Sequence, residues 1–230
     1  MSVKETLRVQ AYNLIKDKII NCVYRPGEMI NEERLIDELN LTRTPIRDAL
    51  GRLEQEGLVE IRPKRGILIT PLDFQEVSDL LEARLMYETY AIREYGKCIK
   101  EEDLVSCFIA LQDSIESSDA NTANPVDSKL HSLIIQAVPN THLRSSYESV
   151  DNFLKRLRIR LRILTGESQQ HLEIAQNEHL EIVKACMKKD WALAETALRN
   201  HLTRSAGVVI DLFLSQLHEN PGDTTRKEYP

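Results

Sequence analysis

The stretch Thr42-Arg43-Thr44-Pro45-Ile46-Arg47-Asp48-Ala49-Leu50 decides how the first part of this chain folds. Thr44 offers a capping hydroxyl and Pro45 a fixed φ at the first helical position, so a helix is expected to start there. Ile46, Ala49, Leu50 and Leu53 recur at helical spacing and face a core. Arg43, Thr44, Arg47 and Arg52 lie at the entrance or on other faces, and Gly57 ends the helix. One side packs and the other is free to enter a groove.

Upstream, Asn31 caps a short helix with Glu32 and Glu33 in its first turn and Leu35, Ile36 and Leu39 inward. The break Asn40-Leu41-Thr42 then gives the proportions of a helix-turn-helix. An amphipathic segment from about Thr6 to Val23 completes a three-helix core. After Gly57, two β-branched runs, Leu58 to Arg62 and Ile67 to Thr70, flank Pro63-Lys64-Arg65-Gly66. This is a hairpin with a basic tip, a wing. Arg62, Lys64 and Arg65 have no acidic neighbour within the turn, so the tip can approach a phosphate backbone. A single amphipathic helix with arginines is usually a solvated surface helix; three helices and a basic wing in this order point to DNA.

The net charge of -6 is unusual for such a partner. Residues 1–75 hold 12 basic and 12 acidic side chains, so the deficit lies beyond them and the DNA-facing surface must be local. A chain of 230 residues fits two domains better than one. No apolar run approaches the roughly 20 residues needed to span a bilayer, and Lys4, Glu5 and Arg8 interrupt any signal-peptide core. A cytoplasmic protein with no membrane partner is expected. Cys22, Cys98, Cys107 and Cys186 are scattered and read as ordinary thiols.

Leu72-Asp73-Phe74-Gln75-Glu76-Val77 combines an Asp cap, a Glu three residues later and a hydrophobic staple, so a helix follows the wing at once. With so little slack, movement in the second domain would be felt by the first. Beyond the joint the chain reads as six helices, about 74–97, 102–118, 125–138, 141–164, 168–188 and 191–217. The expected organisation is a mostly α chain: a winged helix-turn-helix over residues 1–71, an all-α bundle over 72–218, and a disordered tail over 219–230.

Within the bundle, Asp127 and His131 stand four apart on one helix face. His131 shares its stripe with Ile134, Ile135 and Val138; His179 lies with Ile182, Val183 and Cys186; His201 lies with Ala197, Leu198 and Val208. All three histidines point inward. Singly, each reads as a hydrogen-bonded core histidine. Together, three imidazoles and a carboxylate from three helices can surround a divalent metal ion.

The segment from about Leu7 to Pro71 resembles the winged helix-turn-helix of GntR-type bacterial transcription regulators. The matching residues are Arg25-Pro26-Gly27-Glu28, Leu35, Thr42 to Leu50, Arg52-Leu53-Glu54, Glu56-Gly57-Leu58-Val59 and Arg62 to Gly66. The resemblance implies DNA contacts from Arg34, Thr42, Arg43, Thr44 and Arg47, and from Lys64, Arg65 and Gly66 at the wing. Arginine can take guanine bidentately, whereas hydroxyls and lysines more often hold phosphates.

The second half resembles the FCD ligand-binding domain of the FadR-type branch, in its smaller VanR-like six-helix version. The family's metal pattern falls on Asp127, His131, His179 and His201, with Pro139-Asn140, Lys189-Asp190 and Ala194 also fitting. Leu130 departs from it, since an aromatic residue more often precedes that histidine. The resemblance further implies that Arg84 faces the pocket and binds a small organic acid, guanidinium being suited to carboxylate. Its alternative reading is a helix-surface pair with Glu88.

The expected function is a homodimeric regulator, more often a repressor, that binds operator DNA under the control of a small carboxylate at a divalent metal. Zinc is slightly favoured over nickel, manganese and iron. No catalytic residue is assigned. Two rivals remain: a constitutive DNA-binding dimer with a structural metal, and a metal-dependent hydrolase, against which stands the absence of HExxH or an obvious general base.

Overall fold

A computed structural model describes residues 6–117, 120–166 and 169–219, with the backbone alone described at 117, 120–127, 169 and 216–219. The expected tail falls almost wholly outside this range. The chain divides into two compact units. One comprises the chain as far as Glu76 with Asn152–Arg160 and the stretch from Ser215; the other comprises Val77–Asp151 and Leu161–Leu214.

The first unit runs α1 (Leu7–Ile20), β1 (Met29–Ile30), α2 (Glu32–Leu39), α3 (Arg43–Gln55), β2 (Val59–Arg62) and β3 (Gly66–Ile69). Thr6 caps α1 by accepting from the Val9 amide, and Asn31 caps α2 by accepting from the Arg34 amide at 2.8 Å. Asn40, at φ 51°, ends α2 in the left-handed conformation that asparagine tolerates. Ile15, Ile19, Leu35, Ile46, Leu50 and Leu53 form the shared core beneath the sheet residues Ile67 and Ile69.

Two details differ from expectation. Helix α3 begins at Arg43 with Thr42 in the cap position, so Thr44 and Pro45 lie inside its first turn. Proline is tolerated there because the first amides of a helix have no intrahelical acceptor in any case. The wing strands also gain a third partner: the sheet order is β1-β3-β2, antiparallel throughout, with Met29 opposite Leu68 and Val59 opposite Ile69. A two-residue strand carries too little alternation to be read in sequence.

The helices that follow are α4 (Phe74–Tyr95), α5 (Glu101–Ser117), α6 (Ala120–Gln136), α7 (Thr141–Thr165), α8 (Gln169–Met187) and α9 (Trp191–Glu219). Asp73 caps α4 as expected, its Oδ1 accepting from the amides of Gln75 and Glu76. Helix α6 starts upstream of Pro125, where a break was expected. In the second unit α5 packs against α6 and α8, and α6 against α8, burying Cys107, Leu111, Leu130, Ile134, Ile182 and Val183. Arg156 of α7 is buried.

Candidate metal centre and DNA-binding surface

His131 on α6, His179 on α8 and His201 on α9 are all buried, and among the described residues they bring ligand nitrogens within 4.8 Å of one another. Their ring centroids lie 5.3 Å (His131 to His179), 5.5 Å (His131 to His201) and 4.3 Å (His179 to His201) apart. The side chain of Asp127, the fourth expected ligand, lies outside the described residues.

Two carboxylates hold the rings. The Nδ1 of His131 meets Glu88 Oε2, and the Nδ1 of His201 meets Glu178 Oε2 at 2.8 Å. Each carboxylate is gripped from behind by an arginine. Arg84 Nε donates to Glu88 Oε1 at 2.7 Å, where the Tyr147 hydroxyl also donates. Arg204 donates to Glu178 through Nε and Nη2 at 2.5 and 2.7 Å.

The charges are correspondingly displaced. Burial pulls the Glu88 carboxyl up, but Arg84 and His131 outweigh it and hold its pKa well below the usual range. Glu178 is likewise pulled up by burial and more strongly down by His201 and Arg204, to about 2. Burial lowers His201 to about 4 and also lowers His131; in both rings the positive charge of Arg84 adds to the lowering. Burial and Glu88 push the Tyr147 phenol up. Neutral imidazoles beside ionised carboxylates can present nitrogen lone pairs to a cation, a donor set that suits zinc, nickel and iron.

Arg84 is therefore buried and paired with Glu88, close enough for its charge to be felt at both rings. Sequence reasoning saw Glu88 only as its partner, and missed the contacts of Glu88 and Glu178 to the histidines and the parts of Tyr147 and Arg204. The four-residue step from Arg84 to Glu88 was visible; the step across to α6 requires the fold.

On the first unit, Arg43, Thr44 and Arg47 are exposed along the start of α3, and Thr42 is exposed before it. Glu32 of α2 stands between the two arginines, accepting from Arg47 Nε at 2.8 Å and lying 3.4 Å from Arg43 Nε. Arg34 sits between Glu28 and Glu38, donating to each at 2.6 Å, with its guanidinium over the Tyr24 ring. At the wing, Arg65 N donates to Arg62 O at 3.0 Å, closing a turn with Pro63 second and Lys64 third at φ 63°. Lys64 and Arg65 are exposed, Gly66 opens β3, and Arg62 is paired with Glu60 on its own strand.

Residues 7–69 match the family described as bacterial regulatory proteins, gntR family, and residues 79–204 match the FCD domain. The Uxu operon transcriptional regulator of Escherichia coli (strain K12) is 31% identical over 211 residues, covering 82% of this chain and 81% of that protein. The HTH-type transcriptional repressor RspR of the same strain is 25% identical, covering 84% of each. Among solved structures, E. coli McbR/YncC shares the fold at a TM-score of 0.78 and 16% identity, covering 91% of this chain and 99% of that one. The Zn2+-bound FCD domain of TM0439 aligns at a TM-score of 0.53 and 23% identity, over 63% of this chain and 98% of that one. With a winged helix-turn-helix in one unit and an FCD helical bundle in the other, the chain belongs to the GntR family and is a DNA-binding transcriptional regulator.

Proposed function

We propose that this regulator senses a small organic acid at a divalent metal held by Asp127, His131, His179 and His201, and that the acid changes its affinity for operator DNA. The observation that carries the reading is the convergence of three buried imidazoles from three helices. Zinc is the favoured ion, with the Zn2+-bound FCD domain among the structural neighbours in support. When bound, such an ion supplies a positive centre that a carboxylate can ligate. Arg84, paired with Glu88 behind the His131 ring, is the proposed second anchor for the acid, which would compete with Glu88 for its guanidinium.

On the DNA side, Arg34, Thr42, Arg43, Thr44, Arg47, Lys64, Arg65 and Gly66 form the contact set, with two copies of the chain meeting a palindromic site in the cytoplasm. Repression is the favoured direction, in keeping with relatives named as repressors, such as RspR and the gluconate operon repressor of Bacillus licheniformis. A switch of this kind requires the acid to bind one arrangement of the protein better than another. The hydrolase reading of the same ligands is set aside by the family.

Thermal unfolding of the zinc-loaded protein against sugar acids, hydroxy acids and dicarboxylates, repeated after chelation, tests the reading. An acid at 100 times its dissociation constant adds about 2.7 kcal/mol, and the chelator abolishes the gain. Zinc binding without any acid-dependent shift would replace the sensor with a constitutive dimer holding a structural metal.

A further inference from the structure

Two carboxylates stand behind the histidines, and each is clamped by an arginine: Arg84, Glu88 and His131 form one chain of contacts, and Arg204, Glu178 and His201 form another. A carboxylate can only accept hydrogen bonds, so each contact requires a hydrogen on Nδ1. In a neutral imidazole that leaves Nε2 of His131 and of His201 as the lone-pair nitrogen. His201 Nε2 lies 3.0 Å from His179 Nε2. With His201 the acceptor, His179 must be the donor of that bond.

We propose that Glu88 and Glu178 are paired outer-sphere positioning residues, each fixing one histidine with Nε2 turned toward the metal and together setting the affinity of the site. The assignment rests on the metal reading above. Ligating histidines commonly donate their other nitrogen to a carboxylate, which fixes the tautomer, orients the ring and raises its basicity. Here the arginines perform a further task. They hold the carboxylate oxygens in place, Arg84 through Nε and Arg204 through two N–H donors that a lysine could not match.

The two chains differ in surroundings, which assigns them different duties. Glu88 is fully buried, with Arg84 and Tyr147 sharing one oxygen and His131 on the other. Glu178 is part-exposed and lines a surface groove of about 440 Å³ with Asn177, Glu181, Asn200 and His201. Glu88 therefore acts as a rigid inner strut. Glu178 is the strut that solvent can reach, and removing it leaves a surface notch instead of a core cavity.

Zinc affinity measured by chelator competition on the full chain tests this, using Glu178→Ala, Glu88→Gln and Arg204→Met, with helical content checked for each. Each variant is expected to bind zinc 10- to 100-fold more weakly than the unaltered chain, the usual cost of losing such a partner. Ring nitrogen shifts of the metal-free protein supply a second readout. His201 should change from a single Nδ1–H tautomer to a mixture in Glu178→Ala, which loss of packing alone would not produce. Affinity within twofold of the unaltered chain in a folded Glu178→Ala, with the tautomer unchanged, overturns the proposal whatever Glu88→Gln does. If the unaltered chain binds no zinc, nickel, manganese or iron, the metal reading itself falls, and this one with it.

Discussion

At the scale of the residue, the DNA-binding unit is held by concentrated charge pairing around single carboxylates. Glu38 accepts from Arg34, Tyr24 and Lys18, and these bonds lower its pKa to about 2 from an ordinary 4.5. A carboxylate depressed on folding contributes stability above its unfolded pKa and loses it as the pH falls through its folded one. Glu38→Gln should therefore lower the stability of the unit by roughly 0.5–1 kcal/mol near neutral pH, the part-exposed setting limiting the effect. It should also flatten the loss of stability between about pH 4.5 and pH 2 in unfolding curves. An unchanged acid limb would assign that loss to other carboxylates. The four-residue step from Arg34 to Glu38 could be counted along α2, whereas Lys18 on α1 and Tyr24 in the loop after it reach Glu38 only through the fold.

At the scale of the element, the wing depends on Gly66. Its φ of 114° is closed to residues with a Cβ, and a Cβ there would stand 2.6 Å from the carbonyl oxygen of Ile30 on the neighbouring strand. Gly66→Ala should cost more than about 1 kcal/mol and weaken DNA binding together with it, measured by thermal melts and duplex titration. A variant as stable as the parent would show that β1 can move aside. The hairpin itself was legible from Pro63 and Gly66 between β-branched runs, and so were the six helices that follow the wing, whose caps and apolar stripes repeat over several turns. The start of α6 and the position of Thr44 and Pro45 were not. Capping residues one or two positions apart are nearly equivalent in local energy, so neighbouring starts are decided by packing. The same limit applied to the histidines: their inward stripes could be counted along each helix, whereas the carboxylates behind them belong to other helices, Glu88 to α4 and Glu178 to α8.

At the scale of the whole molecule, the proposed function gives the two units separable tasks. Arg47→Ala is expected to weaken binding to duplex DNA selected from a random pool by about 5- to 150-fold, the range for loss of one base or phosphate contact, while zinc affinity stays unchanged. His179→Ala should do the reverse, abolishing zinc binding and leaving the metal-free affinity for the same duplex intact. Fluorescence anisotropy and chelator competition on both variants check the pair; loss of both activities in either one would show that the units do not act independently. The placement of Glu32 bears on how such a protein finds its site. On the proposed contact set, a phosphate or base that takes Arg43 or Arg47 competes with the Glu32 carboxylate that already faces both guanidiniums. Glu32 would then act as a weak competitor, lowering affinity for every sequence alike and leaving discrimination to the bases.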